Sequence, residues 1–166
     1  AREEPENCLK LFALNKPADE LNQKRFSELT SQGRSCFRFN ALDTGPKQHL
    51  LEQCQAPAVL HLCIGARVMC LRNLMENLVN GSVGTVTSVQ PIQDLAAQKI
   101  TGASITVMFD GSLGKEPFPF KFRTYDPEMS ESETARFMEF TVMEGKKKVA
   151  SRIQIPLRLA WAVSIH

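Results

Sequence analysis

The spacing of apolar residues along the chain changes character near Leu60. Before that point, the short apolar run CLKLFAL (residues 8–14) predicts a buried strand, and apolar residues then recur at helical spacing until Gly33. The alternating stretch FRFNALD (residues 37–43) predicts another strand, and residues 47–54 can form a short helix. A strand followed by a helix is the half-unit of an α/β sheet, so the chain begins as an α/β protein.

From Leu60 onward, apolar and polar residues mostly alternate, in short runs separated by turn signals such as Asn80-Gly81 and Glu144-Gly145. About five or six short strands joined by turns predict a small barrel. The stretch PIQDLAAQKITG (residues 91–102) is predicted to be a loop with a helical turn. After Pro156, the apolar run LRLAWAVSIH predicts a return to a buried core, so a β module interrupts the α/β part of the chain.

Composition and charge exclude several classes of protein. Twenty basic and eighteen acidic residues leave a net charge of +2, so the overall charge does not by itself indicate nucleic-acid binding. Five cysteines without a C-x-x-C spacing indicate neither a disulfide framework nor a zinc site, and they favour a reducing, intracellular compartment. No apolar run approaches the roughly 20 residues of a membrane helix, and the first residues do not resemble a signal peptide, so we expect a soluble chain. Because it begins at Ala1 and ends on an apolar run, we expect a piece of a longer protein.

Two segments carry a family resemblance. IGARVMCLRNLMENLVNGSVGTV (residues 64–86) has the form G-x-x-V-M-L-x-x-N followed by L-V-N-G-x-x-G-x-V, with Cys70 in place of the usual leucine. QIPLRLAWAVSIH (residues 154–166) has the form Q-x-P-L-x-L-A-W-A-x-S-I-H. Together they closely resemble the PIF helicase family, superfamily 1 DNA helicases related to RecD. Residues 11–29 are also similar to a family segment, with departures at Ala13, Leu14 and Ala18.

The resemblance implies a fold and a domain organisation. The fold class is α/β with an inserted small all-β SH3-like barrel, as part of the second RecA-like motor domain of a helicase. Residues 1–62 would form the N-terminal part of that motor domain, and residues 63–155 the barrel insert. Residues 156–166 would return to the motor domain and end at the start of helicase motif five.

The resemblance also implies an activity for the parent protein, an ATP-dependent DNA helicase that moves 5′ to 3′ on single-stranded DNA with ATP and Mg²⁺. Such motors need a phosphate-binding loop of the form G-x-x-x-x-G-K-[ST]. The near match FDGSLGKE (residues 109–116) has Phe109 in place of the glycine and Glu116 in place of the hydroxyl residue. We therefore predict that this chain holds no catalytic residue, metal or nucleotide, and is inactive alone.

The residues predicted to contact DNA lie in the family segments and nearby. His166 stands at the head of helicase motif five, whose loop faces DNA in the family, so we expect a phosphate contact as a hydrogen-bond donor. Asn73 and Asn80, with Gly81, are candidates for contacts to phosphate or sugar, although turn chemistry explains them equally well. Two arginines flank the first barrel strand at an odd separation, which places them on opposite faces, so one of them would face DNA; they are Arg67 and Arg72.

Lys121 and Arg123 alternate with phenylalanines at positions 118, 120 and 122, which gives one basic and one aromatic face to a strand. Such a strand can bind single-stranded nucleic acid, but more often its phenylalanines point inward and its charges face water. The charge run Lys146 to Lys148 is more often simply solvated. Trp161 is surrounded by apolar residues and is predicted to be core rather than a base-stacking platform.

The resemblance implies as partners single-stranded DNA and fork or G-quadruplex DNA, with no membrane, a monomeric state, and a place in the nucleus or mitochondrion of a eukaryote. It also implies roles in DNA repair, DNA recombination and telomere maintenance. Two alternatives remain. One is a stand-alone single-strand-binding or protein-interaction module without ATPase activity, and the other is an inactive scaffold descended from a helicase.

Overall fold

The structure of the chain is a computed structural model that describes residues 10–12, 15–94, 99–111, 114–123, 134–135 and 138–164. These residues form an α-helix, a short 3-10 helix and strands in four sheets. The elements are β1 Lys10–Phe12, α1 Asn15–Ser31, β2 Phe37–Asn40, β3 Leu42–Thr44, the 3-10 helix Gln48–Gln53, β4 Val59–Leu62, β5 Arg67–Cys70, β6 Val83–Asp94, β7 Lys99–Phe109, β8 Phe118–Arg123, β9 Thr134–Ala135, β10 Met138–Glu144, β11 Lys147–Gln154, β12 Leu157–Leu159 and β13 Ala162–Ser164.

The two ends of the described chain meet in one sheet. β1 pairs in parallel with β13, with Lys10 opposite Ala162 and Phe12 opposite Ser164. Helix α1 packs against both strands. Parallel strands need a crossover connection, and here that connection is formed by all the elements between β1 and β13. A parallel pair with a helix packed on it is an α/β arrangement, while the predicted return to the α/β part after Pro156 remains a prediction.

Helix α1 forms where helical spacing predicts it and buries one side against the rest of the chain. Phe26 and Leu29 pack on the main core, and the buried Asn22 donates from Nδ2 to the carbonyl oxygen of Leu159 at 3.3 Å. Gly33, with φ of 85°, follows the last turn, which matches the predicted end of the helix. The helix is thereby attached to β12.

The largest sheet has the strand order β12-β5-β6-β7-β8-β9, and its pairs are antiparallel except for β8 and β9. The prediction of a closed barrel is wrong for the described strands, because this sheet is open. Closure would require the edge strands β12 and β9 to be joined by further pairing. Instead, β11 pairs with β3 to make a separate three-stranded sheet, with Ser151 opposite Thr44 and Ile153 opposite Leu42.

Strand pairing crosses both predicted domain boundaries. β3 lies before residue 63 and pairs with β11 of the predicted insert, whereas β12 lies after residue 155 and pairs with β5. Arg152 strengthens the first of these connections, since its guanidinium binds both carboxylate oxygens of Asp43 at 2.8 and 2.9 Å. The division into three segments remains a prediction.

The stretch of residues 91–102 differs from its prediction. Instead of a loop with a helical turn, β6 continues through residue 94 and β7 begins at residue 99, with residues 95–98 outside the described part of the chain. Pro91 would disrupt a central strand because it has no N–H to donate. Within the described residues, β5 pairs with β6 only up to Thr85, so Pro91 lies where β7 is the neighbour of β6.

The main core lies between the inner face of the six-stranded sheet, β4 and helix α1. It contains Trp161, which is 5% exposed, so the prediction that this residue is core is confirmed. Phe122 is buried, and Phe118 and Phe120 pack on the same core, which confirms the inward orientation of that aromatic series. Among the described residues, no helix is long and apolar enough to cross a membrane.

Candidate nucleic-acid interface

A long loop, residues 71–82, connects β5 to β6 and contains the polar residues of the first family segment. Its ends are joined by two backbone hydrogen bonds. The N–H of Cys70 donates to the carbonyl oxygen of Ser82, and the N–H of Gly81 donates to the carbonyl oxygen of Cys70, each at 2.8 Å. Leu78 is fully buried and anchors the middle of the loop in the core. The Asn80-Gly81 pair therefore ends a longer loop and does not form the whole connection between the strands.

Asn73 and Asn80 are brought together within this loop. The Asn73 side chain accepts a hydrogen bond on Oδ1 from the backbone N–H of Asn80 at 2.9 Å, and both residues are exposed. The N–H of Val79 donates to Ser82 Oγ at 3.0 Å, and the N–H of Ser82 donates to the Val79 carbonyl. Since the N–H of Gly81 is also engaged, the amides of residues 79–82 are used inside the loop. A phosphate contact here would have to be made by side chains.

Gly81 and Gly84 of this segment are required for different structural reasons. Gly81 has φ of 100° and open space around it, so it supplies a backbone conformation that other residues rarely adopt. Gly84 lies against β7, where a Cβ would be 2.6 Å from the carbonyl oxygen of Met108 and 2.8 Å from the Cα of Phe109. The first glycine therefore makes the turn, and the second allows two strands to approach closely.

The Arg67 side chain is buried, and its guanidinium is bound by other groups of the protein. Its side chain is 8% exposed, and its guanidinium binds both carboxylate oxygens of Asp110 at 3.0 and 2.6 Å. Nη1 also donates to Thr85 Oγ1 at 3.0 Å. A bidentate pair of this kind fixes the orientation of the guanidinium. The side chain links the start of β5 to the end of β7.

Arg72 lies in the loop after β5 and not within the strand. Its guanidinium carbon is 4.2 Å from the centre of the Phe140 ring, and Nη2 donates to the carbonyl oxygen of Glu139. A cation over an aromatic face is an attractive arrangement. Arg67 and Arg72 thus reach different neighbours, Asp110 after β7 and Phe140 in β10, and each is partly neutralised or fixed by the protein itself.

Glu139, whose backbone carbonyl oxygen accepts from Arg72, has a side-chain carboxylate with partners of its own. Glu139 accepts hydrogen bonds from Lys148 Nζ at 2.8 Å and from Ser151 Oγ at 2.9 Å. The hydrogen bond from Lys148, followed by that from Ser151, lowers the pKa of the Glu139 carboxyl below its usual value. The positive charge of Lys148 is therefore partly balanced, which agrees with the interpretation of the lysine run as a solvated strand and turn.

Lys121 and Arg123 lie on the face of the six-stranded sheet opposite to the core. Lys121 is exposed and stands opposite Thr106, and Arg123 is partly buried and stands opposite Ser104. Ser88 lies on the other side of Thr106 and extends the row of hydroxyl groups beside Lys121. The sequence interpretation missed these hydroxyl residues. The sequence signal that could have revealed this row of hydroxyl groups is the alternation of Ser and Thr with apolar residues in β6 and β7.

Arg158 also belongs to this outer face and was missed. It stands opposite Met69 in the pairing of β12 with β5, two positions along from Arg67, and lies 3.7 Å from the carboxylate of Asp19. The outer face therefore carries a basic residue on three of its strands, β5, β8 and β12. Of the basic residues named on this face, only Lys121 is exposed and also lies away from the ends of its strand, β8.

Two further predictions concern His166 and the near match to a phosphate-binding loop at residues 109–116. His166 lies outside the described residues, so its predicted contact with phosphate remains a prediction. The stretch FDGSLGKE runs from β7 to β8, two antiparallel strands, and its Asp110 is engaged by Arg67. Phosphate-binding loops of the Walker type lead into a helix, whereas this stretch leads into a strand. The described residues contain no group of three His, Cys, Asp or Glu side chains able to hold a metal ion.

The chain is similar in sequence to known DNA helicases. The family described as the 2B domain of DNA helicase Pif1 matches residues 47–89, which include the loop of residues 71–82. The ATP-dependent DNA helicase PIF1 of Rattus norvegicus is 32% identical over 149 residues, which cover 87% of this chain and 19% of that protein. The chain spans about a quarter or less of the length of the curated relatives it matches.

Solved structures share the fold. The crystal structure of Pif1 helicase from Candida albicans matches with a TM-score of 0.71 and 24% identity, covering 99% of this chain and 37% of that one. The crystal structure of Bacteroides Pif1 bound to ssDNA matches with a TM-score of 0.58 and 19% identity, covering 100% of this chain and 33% of that one.

Proposed function

Because this chain belongs to the PIF family of DNA helicases, we propose that it is part of an ATP-dependent motor that moves 5′ to 3′ along single-stranded DNA and unwinds duplexes. The observation that carries this proposal is the parallel pair of β1 and β13, with α1 packed on it, in a chain whose relatives are helicases. That pair belongs to an α/β domain, as the second RecA-like domain of a motor requires. ATP and Mg²⁺ would bind to parts of the parent protein outside this chain.

The role of this chain would be to supply part of the DNA track. Asn73 and Asn80 present exposed amide side chains on a loop whose backbone is held by internal hydrogen bonds, so these groups are held in position before DNA arrives. Amide groups can donate to phosphate or sugar oxygens without selecting a base sequence. Lack of base selection suits a motor that moves along any sequence.

A second contribution would come from the outer face of the six-stranded sheet. Lys121 is exposed beside the hydroxyl of Thr106, so a phosphate there could receive both an ion pair and a hydrogen bond. Arg123 stands one row further along the same face. Arg67 and Arg72 would act mainly by orienting the loop and by their long-range field, since their guanidinium groups already have partners in the protein. His166 would contact phosphate at the end of the track.

The finer properties follow the resemblance and belong to the same proposal. The Bacteroides relative was solved bound to single-stranded DNA, and another Bacteroides structure holds ADP-AlF4. We propose single-stranded, forked and G-quadruplex DNA as partners, a monomeric working state, and action in the nucleus or mitochondrion in DNA repair, recombination and telomere maintenance. Each of these belongs to the whole protein.

The test has two levels. In the parent protein, Asn73→Asp and Asn80→Asp should lower DNA-stimulated ATPase and unwinding while ATPase without DNA is unchanged, because an added negative charge repels phosphate. Lys24→Ala, on the exposed side of α1, serves as the matched control. If unwinding persists at full rate in both asparagine variants, this loop is not part of the track. Absence of any ATPase in the parent would instead support the inactive scaffold.

For the chain itself, fluorescence anisotropy with a labelled single strand over a series of salt concentrations measures the number of phosphate contacts. Each contact contributes a slope of about 0.7 in a plot of log K against log salt for single-stranded DNA. Lys121→Ala should reduce the slope by about that amount, and Lys24→Ala should leave it unchanged. An unchanged slope in Lys121→Ala would remove that residue from the track.

A further inference from the structure

Two cysteines lie opposite each other where β2 and β4 end. The register of this antiparallel pair places Phe37 opposite Leu62 and Arg38 opposite His61. One step beyond the last of these pairs, the same register places Cys36 opposite Cys63. Residues directly opposite each other in antiparallel strands point to the same face, so the two thiols share one side of the pair.

The hydrogen-bonding pattern shows what kind of pair they form. The N–H of Ala41 donates to the carbonyl oxygen of Ala58 at 2.8 Å, so that pair is a hydrogen-bonded one. Hydrogen-bonded and non-hydrogen-bonded pairs alternate along an antiparallel ladder. Cys36 and Cys63 lie an odd number of steps away, which makes them a non-hydrogen-bonded pair. In such pairs the Cα atoms are about 4.5 Å apart, inside the range of about 4.4–6.8 Å found in disulfides.

The two thiols differ in access to solvent. Cys63 is fully buried, whereas Cys36 is exposed, so an oxidant in solution can reach Cys36 alone. The Sγ of Cys36 is 3.8 Å from Nδ1 of His61, whose ring lies against Phe26. A neutral imidazole with its proton on Nε2 can accept the thiol proton at Nδ1. The corner thus holds an accessible thiol, a base and a protected second thiol.

We propose that Cys36 and Cys63 form a thiol oxidation site that reacts with small-molecule disulfides such as oxidised glutathione. The sulfur of Cys36 attacks one sulfur of the reagent, the reagent S–S bond breaks, and one glutathione leaves with the proton that Cys36 lost. The sulfur of Cys63 then attacks the sulfur of Cys36, forms the Cys36–Cys63 bond and releases the second glutathione as a thiol. Two protein thiols are oxidised, and one reagent disulfide is reduced to two thiols.

The electrostatic setting makes this a slow and selective site. Burial raises the pKa of the Cys36 thiol and of the Cys63 thiol, and a charge on Cys36 raises the pKa of Cys63 further, while the charge of Arg34 lowers it. A small thiolate fraction limits the first exchange step. The second step is intramolecular between facing positions, so it does not depend on a further encounter with the reagent.

The bond would join the segment that leaves α1 to the corner that enters β5. Arg34 already links these two segments, since its Nη1 donates to the carbonyl oxygen of Ile64 at 2.7 Å. The closed loop would contain β2, β3, the 3-10 helix and β4, and closing a loop of this length restricts the unfolded chain. The oxidised chain should therefore resist denaturant better than the reduced chain.

The experiment treats the full chain with oxidised glutathione and follows intact mass, then maps disulfides in peptides after the remaining thiols are alkylated. We expect a transient adduct of one glutathione, followed by a species without glutathione that contains Cys36 linked to Cys63. Cys63→Ala should stop at the adduct on Cys36, and Cys36→Ser should form neither species. Cys54→Ser is the matched control and should behave like the unmodified chain.

Several results would overturn the proposal. One is a stable adduct on Cys36 in the unmodified chain, because Cys63 would then not resolve it. Another is a peptide map that links Cys36 to Cys8 or Cys54. The time course of the unmodified chain decides the question without any variant, so poor folding of Cys63→Ala would not obscure the outcome.

Discussion

The Oδ1 atom of Asn73 accepts the backbone N–H of Asn80 at 2.9 Å, so one exposed asparagine holds the turn on which the other stands. The two residues are seven positions apart and belong to the same family segment. Turn chemistry and contact with DNA are therefore compatible explanations for them. The Oδ1 atom of Asn73 is used to hold the turn. The Nδ2 group of Asn73 and the side-chain amide of Asn80 remain for a ligand.

Substitutions at Asn73 should separate these tasks. Asn73→Ala removes the acceptor and should destabilise the chain by about 1 kcal/mol, the net value of one hydrogen bond. Asn73→Asp keeps an oxygen acceptor, so its denaturant midpoint should stay near that of the unmodified chain while binding to single-stranded DNA weakens. Chemical denaturation and anisotropy measure the two effects. Equal stability of Asn73→Ala and Asn73→Asp would show that the hydrogen bond contributes nothing.

The partly buried ion pair between Asp43 and Arg152 should contribute more to stability than an exposed pair between the same two regions. Asp43→Asn leaves the Arg152 guanidinium, whose side chain is 8% exposed, without its charge partner. We expect a loss near the lower end of the roughly 3–5 kcal/mol known for broken buried pairs. The matched control is Glu144→Gln, which removes a pair with Lys47 whose side chains are 45% and 50% exposed. Its cost should stay below about 1 kcal/mol in urea denaturation. A similar cost for both variants would contradict this ranking.

The same pair predicts how stability changes with pH. The hydrogen bond from Arg152 lowers the pKa of the Asp43 carboxyl in the folded chain. A group whose pKa is lower in the folded chain than in the unfolded chain stabilises the fold at pH values above its unfolded-state pKa, which is about 3.9 for Asp. This contribution is lost as the pH falls through the folded pKa. The difference in unfolding free energy between the unmodified chain and Asp43→Asn should thus shrink below about pH 4. A difference that stays constant from pH 7 to pH 3 would contradict the assignment.

Two glycines of one segment should respond differently to the same substitution. Gly84→Ala places a Cβ within 3 Å of the β7 backbone, so the strands must separate, and we expect a loss of about 2–3 kcal/mol. Gly81→Ala meets open space and is strained only by its positive φ, which costs about 1–2 kcal/mol. Urea denaturation of both variants gives the comparison. A larger loss for Gly81→Ala would show that the approach of Gly84 to β7 is relaxed in solution.

Local pattern predicted the elements more reliably than their partners. The strand at Lys10–Phe12, helix α1 and the turn at Gly145 follow from apolar spacing and from turn residues, which act within a few positions of one another. The barrel was predicted from a series of short strands, yet the pairing of β11 with β3 depends on residues about a hundred positions apart. No local spacing contains that information. A loop was the prediction for residues 91–94, whereas β6 continues through them; Pro91 is tolerated there because the pairing of β5 with β6 ends at Thr85.

The sequence by itself determined the family, because long motifs such as LVNGSVGTV and QIPLRLAWAVSIH are specific in residue type and in order. It also predicted the strand at Lys10–Phe12 and the helix that follows it. Only the tertiary structure decided which polar groups are available to a ligand. Arg67 and Arg72 look like free cations in the sequence, but Asp110, just after β7, binds Arg67 and Phe140 of β10 packs against Arg72. Whether a charged side chain has a partner within the protein depends on residues distant in sequence, because folding brings those residues within a few ångströms of it.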